Sequence, residues 1–86
     1  MTKHSHQFVE TFDGLLGFGL DRKTDEGTVV CYLQKFSDDA LMQLLIERLS
    51  DADLSEIFDL ITRLLKTHLT ESEYHRHFLK DDHPGK

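Results

Sequence analysis

RKTDEGTVVCYLQKF, residues 22–36, is the stretch whose reading decides the fold class of this chain. Its first part, Arg22 to Gly27, is charged and closes on a glycine. Its second part, 28–36, is rich in β-branched and aromatic residues, which favour a pleated strand. Just before it, Leu16 to Asp21 is a short apolar run. An acidic turn ending in glycine between two such runs is a β-hairpin signal. Gly14, Gly17 and Gly19 point the same way, since each would cost ~1 kcal/mol relative to alanine inside a helix. Residues 6–13 (HQFVETFD) set Phe8 and Phe12 four apart and read as a helical turn, with an added strand as the alternative.

Downstream of the hairpin the language changes. Ser37, Ser50 and Thr70 each follow an apolar residue, and each is followed four places later by another (Leu41, Leu54, Tyr74). That is the pattern of an N-cap hydroxyl flanked by a hydrophobic staple. Asp53 and Glu73 complete capping boxes at the second and third sites. Asp38, Asp39 and Asp51 add negative charge where the helix dipole favours it. Three helices are therefore expected, at about 38–49, 51–69 and 71–80. A two-stranded hairpin is marginal unless something covers it, and the leucine-rich helices supply that cover. The expected architecture is α+β, a small N-terminal β-hairpin followed by three helices.

The chain has 86 residues, enough for a single small domain (1–86) with residues 1–5 and 81–86 flexible. No apolar run approaches the ~20 residues of a membrane span, so no membrane partner is expected. The N-terminus lacks the apolar core of a signal peptide. Cys31 is the only cysteine, which excludes an intrachain disulfide and suits a reducing, cytoplasmic compartment. Ten Lys and Arg against sixteen Asp and Glu give a net charge of −6, with the basic residues scattered. A nucleic-acid binder concentrates positive charge on one face, so no nucleic-acid partner is expected.

The segment from Gly17 to His68 resembles the wing and dimerisation helices of MarR-type winged-helix repressors. GFGLDRKTDEGTVVCYLQKF stands at the wing and LSDADLSEIFDLITRLL at the start of the final helices. The helix-turn-helix of that family would precede the wing, where this chain has only 16 residues. What the resemblance implies is helix-mediated dimerisation.

TESEYHRHFLK, residues 70–80, concentrates histidine and glutamate. On a helix Glu71 meets His75 and Glu73 meets His77, but the two pairs lie on different faces, about 200° apart at roughly 100° per residue. A metal would need His68, Glu71 and His75, a His-Glu-His set that can hold zinc with an open position. Thr70 as N-cap interrupts the helix inside that set, so the residues read as the polar skin of a short helix resting on Tyr74 and Phe78. His68 itself continues the Leu54, Ile61, Leu65 face, where a cationic ring suits a helix C-terminus. Cys31 sits among apolar residues with no adjacent cation to lower its pKa, which marks it as packing and not as a nucleophile. No catalytic residues, cofactor or enzymatic activity are expected.

What remains is apolar surplus. Past its first residue, Asp38, the helix at 38–49 keeps only the stripe Asp39, Gln43, Glu47 polar, with Arg48 beside it, and Leu60 lies off the main seam of the next helix. Leu41, Met42, Leu45, Ile46 and Leu60 are the expected interface residues. The expected function is a non-enzymatic protein-interaction or regulatory module whose partner is another protein or a second copy. The alternative is a small metal-binding protein using the C-terminal His and Glu residues.

Overall fold

The structure, a computed structural model, describes residues 3–81. The terminal residues 1–2 and 82–86, expected to be flexible, lie outside the described residues. The chain divides between Arg48 and Leu49 into two compact units. The first holds three α-helices, α1 (Gln7–Thr11), α2 (Arg22–Phe36) and α3 (Asp39–Ile46). The second holds α4 (Asp51–His68) and the short α5 (Glu71–Glu73), which runs on as a π-helical segment, Tyr74–Leu79.

The hairpin does not form, and the α+β expectation fails with it. No strand occurs among the described residues, and 22–36 is one continuous helix. The physical reasons lie at its ends and in its middle. Asp21 is an N-cap whose carboxylate accepts from Thr24 N–H at 2.8 Å, Asp25 sits in the first turn, and Lys35 in the last. Arg22 and Glu26, one turn apart, pair at 2.7 Å. Against these, the helix penalty of the β-branched run is only a few tenths of a kcal/mol per residue.

Gly27, read as the turn glycine, is a helix glycine with a packing role. A Cβ there would meet Cζ of the Phe12 ring at 3.1 Å, so its absence lets α1's end close on α2. The 17–36 segment is therefore no wing. Among the glycines of the described residues, Gly19 alone, with φ of +90°, needs the left-handed backbone that glycine tolerates.

The first unit is held together by a small core and by long-range polar clasps. Val9, Thr28 and Cys31 are buried, Cys31 at 1 % exposure. The Thr28 hydroxyl accepts from Gly17 N–H at 2.9 Å and donates to Gly17 C=O at 3.0 Å, pinning the 12–21 loop to α2. The chain before α1 folds back over the α2–α3 corner. Ser5 donates its hydroxyl to Asp38 at 2.7 Å, His6 Nε2 meets Ser37 Oγ at 2.9 Å, and Val9 N–H donates to Gln34 Oε1 at 2.9 Å.

Helix α3 starts one residue later than the cap pattern places it. Asp38, not Ser37, is its N-cap and accepts from Ala40 and Leu41, while Ser37 closes α2. The helix stops at Ile46 because the turn tightens there, with Arg48 N–H reaching Leu45 C=O.

In the second unit Ser50 and Thr70 carry full capping boxes with Asp53 and Glu73. Leu69, extended at φ −117° and ψ 142°, separates α4 from the next turn. The π-helical segment ends at Lys80, which is left-handed at φ 57°, and Asp81 N–H then reaches back to His75 C=O at 2.8 Å. No helix among the described residues is long and apolar enough to cross a membrane.

Candidate functional site: an apolar groove in the second unit

The 18 residues of α4 separate polar from apolar by the helical repeat. Leu54, Ile57, Phe58, Ile61, Leu64 and Leu65 share one broad arc, with Glu56, Asp59, Arg63 and Lys66 behind it. Ser50 fixes where this arc begins and Leu69 where it ends. Thr70 then restarts the chain: its Oγ1 accepts from Glu73 N–H at 3.1 Å, and Glu73 accepts in turn from Thr70 N–H at 2.9 Å. The Thr70 backbone N–H, and after it the Thr70 hydroxyl, hold the Glu73 carboxyl below its usual range.

The restart brings Tyr74 and Phe78 beside the α4 arc. Their rings stack at 5.4 Å between centroids and 14° between planes. Between them and Phe58, Ile61 and Leu65 lies a groove of about 690 Å³. Thr62, Lys66, Thr70 and Glu71 supply its polar edge. Its size falls in the ~300–1,000 Å³ range of sites that take ligands, and its walls are aliphatic and aromatic. Phe58, on its rim, is 69 % exposed, and Phe78 is 50 % exposed. Such a trough matches the mode in which a helix lays apolar anchors into a groove.

Among the expected metal ligands, Glu71 and His75 come together and His68 does not join them. His75 Nε2 lies 3.9 Å from Glu71, and its Nδ1 lies 3.4 Å from Asp81. The two carboxylates therefore face opposite nitrogens of one ring. No group of three His, Cys, Asp or Glu side chains that could hold a metal occurs among the described residues. His68 ends α4, and the extended Leu69 breaks the spacing that would link it to Glu71.

The expected interface residues divide between the units. Leu41, Met42, Leu45 and Ile46 lie on α3, with Leu41 and Ile46 exposed and the other two half-buried. Leu60 is exposed on α4, outside the residues that line the groove.

One apolar surface escapes a strand reading altogether. On α2, Val29, Tyr32, Leu33 and Phe36 fall at i, i+3, i+4 and i+7, and all are exposed, Tyr32 at 65 %. A shallower hollow of about 300 Å³ opens among Phe18, Val29, Tyr32 and Leu33. The signal was in the sequence, as a 3–4 repeat hidden under β-branched residues. No known protein family, curated protein or solved structure matches the chain.

Proposed function

We propose that this chain is a non-enzymatic interaction module, working in the cytoplasm, whose second unit receives a protein partner on the apolar face of α4 and in the groove beside it. The observation that carries the reading is the groove itself: about 690 Å³, walled by Phe58, Ile61, Leu65, Tyr74 and Phe78, with Phe58 left 69 % exposed. Large aromatic side chains at the rim of an apolar trough are the residue types that dominate binding energy at protein interfaces. The burial of Cys31 at 1 % exposure supports a packing role for its thiol and not a nucleophilic one. The net charge of −6 favours basic partners over nucleic acid.

The test is selection from a display library of helical peptides against the full chain, followed by calorimetry on the enriched sequences. The reading expects peptides with apolar residues at i, i+3 or i+4, and i+7, whose binding is lost in Phe58→Ser and Tyr74→Ser. Enrichment of nothing, or of peptides indifferent to both substitutions, would sink it.

A further inference from the structure

We propose, on the reading of the groove as an interaction site, that Leu69 and Thr70 form a hinge which makes and erases it. In the structure the hinge is bent. Leu69 is extended at φ −117° and ψ 142°, and Thr70 keeps a helical φ of −73° with ψ at 165°. With both residues helical, α4 and the segment after it become one straight helix. Nothing in the covalent chain forbids that state, since no glycine or proline occurs from Ser50 to Lys80. To pass between the two arrangements, only the dihedrals of Leu69 and ψ of Thr70 need to turn.

Opposing terms hold the two arrangements close. The bend ends one helix and begins another, so the N–H groups of residues 70–73 lack the carbonyls of residues 66–69 that a continuous helix would give them. On either side the ladder is intact: Leu69 N–H reaches Leu65 C=O at 3.1 Å, and Tyr74 N–H reaches Thr70 C=O at 2.9 Å. In place of the missing bonds stand the two of the capping box, Thr70 N–H to Glu73 and Glu73 N–H to the Thr70 hydroxyl, both exposed. The bend's other gain is the groove wall. Tyr74 and Phe78 follow Leu65 by nine and thirteen residues. On a straight helix they would stand about 180° and 220° round from it, at roughly 100° per residue. Straightening therefore carries both rings to the opposite side and unmakes the groove, while the bend sets them against Phe58, Ile61 and Leu65. A groove occupant binds the bent form alone and selects it, whereas loss of the capping box favours the straight one.

Two measurements on the full chain read the hinge: the NMR Cα and Cβ shifts of residues 69 and 70, and the distance between spin labels at Ser55→Cys and His77→Cys. The unaltered chain, with its buried Cys31, is the labelling control. The native hinge should give extended shifts and a distance well short of a straight helix. Thr70→Ala combined with Glu73→Ala should give helical shifts at both positions and about 33 Å between the labelled sites, twenty-two residues along one rod. Adding Glu71→Pro to that variant should restore the bend. Proline suits the first helical position, where the N–H has no helical partner, and it bars a continuous helix through that point. Extended shifts at residue 69 in the double variant, random-coil shifts from residue 70 onward, or helical shifts that survive Glu71→Pro overturn the proposal. A bend that never opens, in a chain that still takes helical peptides, defeats the hinge and leaves the interaction reading standing. A hinge that opens as expected, in a chain that takes none, defeats that reading and not the hinge.

Discussion

The Phe12 ring lies against Gly27 so closely that a Cβ on the glycine would stand 3.1 Å from Cζ and 3.2 Å from Cε1 of the ring. Two effects oppose each other in Gly27→Ala. Alanine gains about 1 kcal/mol of helix propensity, while overpacking a tight contact costs ~1–3 kcal/mol. The clash should win by about 1 kcal/mol, read as a lower urea midpoint. In a Phe12→Ala background the clash is gone, and the same substitution should stabilise by up to ~1 kcal/mol. A stabilising Gly27→Ala with Phe12 present would show that the ring does not rest there.

A second expectation concerns acid. The Ser5 hydroxyl, followed by the backbone N–H of Leu41, holds the Asp38 carboxyl below its ordinary value of 3.8. A carboxylate whose pKa is lower folded than unfolded stabilises fully above the unfolded value and loses that contribution as pH falls through the folded one. The Asp38 share should therefore be intact above about pH 4 and disappear below 3.8. Asp38→Asn keeps an N-cap acceptor and removes the proton, so its melting temperature should fall less steeply below pH 4 than that of the native chain. Parallel curves for the two proteins would dissociate Asp38 from the acid response.

In the C-terminal segment the cap and the rings should matter more than the histidines. Thr70→Ala should cost about 1 kcal/mol by losing the cap. Phe78 is half exposed, so Phe78→Ala should cost only about 1–2 kcal/mol, well short of a fully buried ring. His77→Ala, on an exposed position, should stay within ~0.5 kcal/mol. Thermal denaturation of the three variants ranks them, and a larger loss for His77 than for Thr70 would contradict the arrangement.

Zinc provides a fourth check. Glu71 and Asp81 face different nitrogens of His75, so an ion at either nitrogen meets one of these two carboxylates and not both. Stoichiometric zinc should leave the melting temperature unchanged in the native chain and in His75→Ala alike. A zinc-induced rise that His75→Ala abolishes would favour the metal-binding alternative.

Side chains that bond to backbone made part of the fold legible. Ser50 with Asp53 and Thr70 with Glu73 announce their helices in the sequence, and α4 and α5 begin at those caps. The same chemistry was present at Asp21 and Thr24, but the glycine and the Thr-Val-Val run after it matched a hairpin template more closely. What decided the matter was tertiary: Phe12 needs the space at Gly27, and Thr28 binds the Gly17 peptide, contacts no local window contains. Ser37 lost its cap role to its neighbour because Asp38 also receives Ser5 from far along the chain. Of the groove, the Tyr74–Phe78 spacing was visible, whereas the π-helical winding of 74–79 has no sequence mark. The exposed stripe on α2 was lost with the strand reading.

The clasp of Ser5, His6 and Val9 on Asp38, Ser37 and Gln34 sets an order of events in folding. A five-residue helix cannot persist alone, because nucleation costs more than so few bonds return. Helix α2, three times as long and capped by its own Asp21, can form from local contacts. Gln34, which takes the Val9 N–H, is placed by α2 itself, whereas the partners of Ser5 and His6 are placed only where α2 ends at Ser37 and α3 begins at Asp38, across some thirty residues of chain. In the first unit the segment from Ser5 to Val9 is consequently expected to form late and open early, and the Val9 amide should exchange with solvent ahead of the amides in the middle of α2.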